Sequence, residues 1–206
     1  MNLSLDPLSQ VRTLSDIKGS MTHPYHQESH RQPQVLPETS FYYFAYGSCM
    51  CPVDLKRTFG ENTYQYVVGT AILKGYRLGF YRRSLRRNCG ALDVVREPNS
   101  RVEGVLYHLP WRFSARLDAR EEVPSNGYRH EYVDVHSEGK LYENVRTYVV
   151  IDKLPQELAP NDWYLNVVLR GAVTCGLSEE YCLWLFNHMH RLQLQQSQEV
   201  ILANCS

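Results

Sequence analysis

The 206-residue chain balances 22 basic against 22 acidic side chains, so no whole-molecule field recommends nucleic acid or a membrane surface as partner. Its 43% apolar content suits one globular domain with appendages, and no run of about 18 apolar residues offers a transmembrane helix. Cys49, Cys51, Cys89, Cys175, Cys182 and Cys205 form no C-x-x-C pair and read as reduced thiols of a cytoplasmic protein, in keeping with an N-terminus that lacks an apolar secretory core.

Residues 1–38 are rich in Ser, Pro, Gln and His without apolar periodicity, and they read as a disordered arm. His23, His26 and His30 lie in that polar setting and are solvated rather than ligating. A domain spanning 39–193 follows. Phe41-Tyr42-Tyr43-Phe44-Ala45-Tyr46 suits a buried strand. Gly47 and Ser48 then allow a tight turn, and Pro52 opens a short helix through Phe59. A strand, a Gly-Ser turn and a helix start together gather N–H donors fitted to a carboxylate or phosphate. The plainer alternative is a turn with no ligand. Cys49-Met50-Cys51 lacks the spacing of a zinc knuckle, so no metal is expected.

Further along, 66–73 and 76–81 read as strands joined by a bend at Lys74-Gly75. Arg82, Arg83, Arg86 and Arg87 make a basic loop, either simply solvated or a rim attracting an anionic ligand. Segments 91–96 and 101–109 predict a hairpin around the turn Glu97-Pro98-Asn99-Ser100. Pro110 ends it, and 111–121 predict a short helix. On that helix Phe113, Leu117 and Glu121 recur every four residues and share one row. A carboxyl extending an apolar row is desolvated and its pKa raised, which makes a proton-shuttling acid. A solvated helix exit is the alternative, with Asp118 and Glu122 as rivals for any such role.

Two strands follow, at 128–136 and 144–151, around a turn at Glu138-Gly139-Lys140. Asn161 or Asp162 caps a helix running to Cys175, with Gly176 beyond its end. Ser178 caps the last helix, whose stripe is Cys182, Leu185, Phe186, Met189 and Leu192. His188 and His190 read as surface residues rather than a metal pair, and residues 194–206 as a polar tail. Strands dominate the first two thirds and helices the last. The predicted class is α+β: a small mixed sheet curling into a barrel, with helices outside.

Tyr43-Phe44-Ala45-Tyr46-Gly47-Ser48 resembles the signature loop of the gamma-glutamylcyclotransferase family, which usually continues with asparagine where this chain has Cys49. The resemblance extends through Leu117-Asp118-Ala119-Arg120-Glu121-Glu122-Val123, Gly127-Tyr128, Arg146-Thr147-Tyr148, Trp163-Tyr164, Gly171-Ala172 and Cys175-Gly176-Leu177, covering residues 41–187. It implies a small barrel and an enzyme without cofactor that releases 5-oxoproline and a free amine or amino acid from a gamma-glutamyl small molecule. The same resemblance implies Glu121 as the catalytic acid/base. Tyr46, Gly47, Ser48, Cys49, Met50, Tyr128, Tyr148 and Tyr164 would bind the substrate. Two other classes stay open: a noncatalytic ligand-binding module of this fold, and a thiol or serine acyl-hydrolase using Ser48 or Cys49. No G-x-S-x-G elbow supports the latter.

Overall fold

A computed structural model describes residues 38–204. The predicted arm therefore lies outside the described residues, apart from Glu38. Strand β1 (Ser40–Ala45) buries Tyr43, Phe44 and Ala45 in succession, as a strand covered on both faces does. It pairs antiparallel with β3 (Cys89–Pro110) and parallel with β5 (Lys140–Val150) at Tyr43 and Arg146. Strands β2 (Val67–Ser84) and β4 (Tyr128–Ser137) complete a closed barrel in the order β1-β3-β2-β4-β5. The strand order closes on itself, and the mixed barrel of the sequence reading is the observed one.

Two local predictions are corrected. Segments 91–96 and 101–109 are not a hairpin but one strand, β3, and the two strands predicted over 66–81 are one strand, β2. The β2–β3 ladder steps from Lys74–Arg101 to Tyr76–Arg96, so Gly75 faces the four residues 97–100 across a bulge. Gly75 takes a left-handed φ of 76°, a conformation costly for other residues. The turn chemistry of Pro98-Asn99-Ser100 is real, but β2 pairs on both sides of it and holds the direction of β3. The predicted basic loop also shrinks. Arg82 and Arg83 belong to β2, and only residues 85–88 turn.

Helix α1 (Pro52–Phe59) buries Leu55 and Phe59. Phe59 stacks on Phe113 with ring centroids 4.3 Å apart, which ties α1 to the 3₁₀ turn Trp111–Phe113 that leads into α2 (Ser114–Arg120). Helix α3 (Asp162–Thr174) is capped by Asn161, whose side chain accepts from the Tyr164 N–H at 2.9 Å. Ser178 accepts from the Tyr181 N–H to start α4 (Glu179–Asn204) and itself donates to the buried Glu103. The predicted tail from 194 instead continues α4 to Asn204, because Leu, Gln, Glu and Ala favour helix and no Gly or Pro interrupts them. Phe44, Phe80 and Leu106 from the barrel meet Leu55, Leu117, Leu185 and Met189 from the helices in one core. Among the described residues, no helix is long and apolar enough to cross a membrane.

Candidate active site

Strand β1 delivers the Gly47–Met50 turn to one end of the barrel. The Met50 N–H donates to the Gly47 carbonyl at 3.0 Å, which closes the turn. In such a turn the central N–H groups, those of Ser48 and Cys49, are not consumed by the turn itself. Met50 faces inward. Its side chain is fully buried, and its carbonyl accepts from the Tyr107 hydroxyl at 2.7 Å and the Cys175 thiol at 3.1 Å. The loop is thereby pinned to β3 and α3, while Tyr46, Gly47, Ser48 and Cys49 line a polar cleft.

Helix α2 brings the carboxyl to this cleft. Phe113 and Leu117 are buried, and Glu121 follows them as the helix cap, its N–H donating to the Leu117 carbonyl at 2.9 Å. The Cys49 thiol donates to Glu121 Oε1 at 2.8 Å, and the Tyr43 hydroxyl stands 3.5 Å from the same oxygen. Burial raises the pKa of Glu121, while the bond from Cys49 and the charges of Arg120 and Arg87 oppose the rise. The same burial pushes Cys49 up to about 12, against the pull of Arg120, so the thiol keeps its proton at neutral pH. Arg120 completes the chain of contacts. Its Nε donates to Cys49 Sγ at 3.0 Å, and its Nη1 donates to Thr58 Oγ1 at 2.6 Å and to the Asp54 carbonyl at 3.3 Å.

Tyrosines form the walls. Tyr46 donates to the Tyr148 carbonyl at 2.5 Å, and Tyr128 donates to the Leu92 carbonyl at 2.8 Å. Tyr164 accepts from the Leu92 N–H at 3.3 Å. Tyr148 donates outward to Asp118 at 2.6 Å, leaving its ring on the cleft. Burial raises the pKa of each of these phenols, which stay neutral donors and acceptors. Arg82 bonds Glu122 and the Gly127 carbonyl at the rim and lies over the Tyr128 ring. A Cβ on Gly127 would stand 2.6 Å from the Arg82 guanidinium and 2.8 Å from Glu122 Cβ, so glycine permits this approach. Arg87 lies 5.0 Å from the Tyr164 ring centre and 5.5 Å from that of Trp163. Water can occupy about 50 Å³ of the cleft, room for a compact polar group.

The structure thus gathers Glu121, Tyr46, Gly47, Ser48, Cys49, Tyr128, Tyr148 and Tyr164 around one space. Met50, also predicted to bind substrate, supports the loop from behind. Tyr43 and Arg120 were not singled out by sequence reasoning. Tyr43 lies within the predicted first strand and Arg120 within the predicted short helix, and only the approach of β1 and α1 to α2 reveals their contacts. Arg82 and Arg87 take the rim position that was the second reading of the basic segment. Among the described residues, no cluster of three His, Cys, Asp or Glu side chains is placed to hold a metal ion.

A model of the AIG2-like family matches residues 101–185. YkqA of Bacillus subtilis (strain 168), provisionally named a gamma-glutamylcyclotransferase, is 38% identical over 151 residues, which are 73% of this chain and 53% of YkqA. The chain therefore spans about half the length of that relative. The YkqA crystal structure superposes with a TM-score of 0.68 at 35% identity, covering 74% of this chain and 55% of that one. A solved gamma-glutamyl cyclotransferase gives 0.64 at 25% identity, with 71% and 86% covered. An uncharacterised Homo sapiens protein gives 0.64 at 26%, with 72% and 87% covered.

Proposed function

Since the chain belongs to the AIG2-like family and has the gamma-glutamylcyclotransferase fold, we propose that it cyclises gamma-glutamyl compounds, releasing 5-oxoproline and an amine or amino acid. The observation that carries this reading is the placement of Glu121, a desolvated carboxyl that accepts from a thiol and a distant phenol, beside the Ser48–Cys49 turn in one polar cleft.

In this reaction the substrate supplies its own nucleophile. Its α-amine attacks the γ-carbonyl, a ring C–N bond forms, and the original γ-amide C–N bond breaks. The enzyme has to hold the glutamyl chain folded and move one proton. Glu121 accepts the proton from the attacking amine and returns it to the departing nitrogen. Its raised pKa brings the carboxyl closer to the range in which both transfers are efficient. The turn N–H groups and the Ser48 hydroxyl stand as donors for the oxyanion of the tetrahedral intermediate. Tyr128, Tyr148 and Tyr164 shape the wall against which the glutamyl carbons fold.

Cys49 replaces the usual asparagine with a donor to Glu121 that also accepts from Arg120. It links guanidinium and carboxyl without placing a full charge pair in contact. A nucleophilic role does not suit it, because its thiol is protonated and no histidine lines the cleft among the described residues. Incubation with a panel of gamma-glutamyl dipeptides and gamma-glutamylamines, with chromatographic detection of 5-oxoproline, tests the proposal. Absence of 5-oxoproline with every compound would remove it.

A further inference from the structure

A second groove of about 780 Å³ adjoins the cleft, and Ser48, Arg87, Arg120 and Glu122 line both spaces. The outer groove is strongly basic. Arg57, Arg86, Arg116 and the exposed Trp163 complete much of its wall. Its two carboxylates are already engaged: Asp54 by Arg57 and Arg170, and Glu122 by Arg82. Four guanidiniums of the groove lack such a partner. Arg116 donates to the uncharged Phe59 carbonyl at 2.7 Å, and Arg120 to the thiol, hydroxyl and carbonyl described above. Arg86 and Arg87 form no ion pair with another described residue, and Arg87 is instead stacked against Tyr164 and Trp163 at the junction of the two spaces.

Like charges gathered on a concave surface raise the local concentration of anions. A guanidinium already oriented by two aromatic rings loses little freedom when it grips a carboxylate in its fork. If the glutamyl part occupies the inner cleft, the departing part of the substrate extends past Ser48 and Glu122 into this groove. We infer that the departing group carries a free carboxylate. The preferred substrates are then gamma-glutamyl amino acids or peptides rather than gamma-glutamylamines, and Arg87, with Arg86 and Arg116, sets that preference. This inference rests on the cyclotransferase reading.

A matched pair tests it: a gamma-glutamyl amino acid and the same compound with its C-terminal carboxylate converted to the neutral amide. Charge-assisted hydrogen bonds of this kind correspond to a preference of about 10- to 100-fold in kcat/KM for the acid, carried mainly by KM. Arg87→Gln and the double variant Arg86→Gln/Arg116→Gln should each shrink that ratio, and Arg87→Lys should retain more of it than Arg87→Gln. Added salt should erode the ratio as well. Equal kcat/KM for acid and amide, with 5-oxoproline formed from both, would overturn the inference and leave the proposed reaction standing. So would a ratio that Arg87→Gln and the double variant leave unchanged. If neither compound is turned over, calorimetric binding decides the groove separately. Tighter binding of the acid that depends on Arg87 supports it, and equal or absent binding overturns it.

Discussion

Asp118 and Glu121 lie three residues apart on α2 and its cap, yet they live in opposite surroundings. Asp118 is gripped by strong partners: the Tyr148 hydroxyl at 2.6 Å and His130 Nε2 at 2.7 Å, with Arg146 3.9 Å away. Glu121 has a thiol at 2.8 Å and a phenol at 3.5 Å. One carboxyl is held, and it in turn holds Tyr148 in the cleft wall. The other is desolvated, lightly restrained and turned toward the cleft. A helix end can thus present the same functional group as a structural clamp on one face and, under the proposed mechanism, as a proton carrier on the next. The neighbouring strands decide which role each face takes.

The sharpest way to break this contrast is Glu121→Gln, which keeps size and some hydrogen bonding but removes the proton acceptor. Turnover should fall by about 10²–10⁴-fold, the usual worth of general acid–base catalysis. Binding of 5-oxoproline, measured by calorimetry, should persist because the Gly47–Ser48 turn is untouched. An active Glu121→Gln enzyme beside an inactive Glu122→Gln enzyme would show that the proton carrier is the neighbouring residue.

Cys49→Ala removes the thiol between Arg120 and Glu121 but no nucleophile. Turnover should drop by about tenfold, the scale of one lost hydrogen bond, and Cys49→Asn should recover part of it. Complete inactivity of both variants, together with a thioester trapped on the wild-type protein and detected by mass spectrometry, would contradict the intramolecular mechanism.

Asp118→Asn should do the reverse of Glu121→Gln. Loss of charged hydrogen bonds to Tyr148 and His130 should destabilise the fold by about 1–3 kcal/mol, read from denaturant unfolding, while turnover changes less than tenfold on the scale of acid–base effects. A turnover loss matching that of Glu121→Gln would erase the distinction between the two carboxyls.

The smallest effect is on stability against pH. The pKa of Glu121 in the fold lies above the ordinary 4.5, mainly through burial. Its contribution to stability is therefore complete below about pH 4.5 and is lost as pH rises through the folded value. Glu121→Gln abolishes this loss, so the Tm of the variant minus that of wild type should grow from pH 4 to pH 8. A difference that stays constant or shrinks over that range would show that burial does not disfavour the carboxylate.

Residues acting through near neighbours were legible before the fold was known. The start of α1 at Pro52, the cap at Asn161, the row Phe113–Leu117–Glu121 and the turn at Gly47 all follow from spacing and capping chemistry within a few residues. The break predicted at 97–100 failed for the complementary reason. Its local turn signal was sound, but pairing with β2 on both sides of the bulge overrode it. At the C-terminus, continuing helix propensity carried α4 through residues whose polarity had suggested a tail.

What the sequence determined by itself was the strand–turn–helix grammar, the mixed α+β class and a short set of candidate site residues led by Glu121. Hydrophobic period, turn residues and caps are local properties that the chain carries into any environment. What only the tertiary structure decided was the company those residues keep. Cys49 meets Arg120 and Glu121 across more than 70 positions of chain, Arg82 reaches Glu122 across 40, and Arg87 stacks on Tyr164 at the boundary of two grooves. These contacts exist because β1 closes the barrel between β3 and β5, drawing the turn after β1 and the end of α2 to the same rim. Whether a carboxyl is clamped or left for chemistry depends on that closure, which no short window of sequence contains.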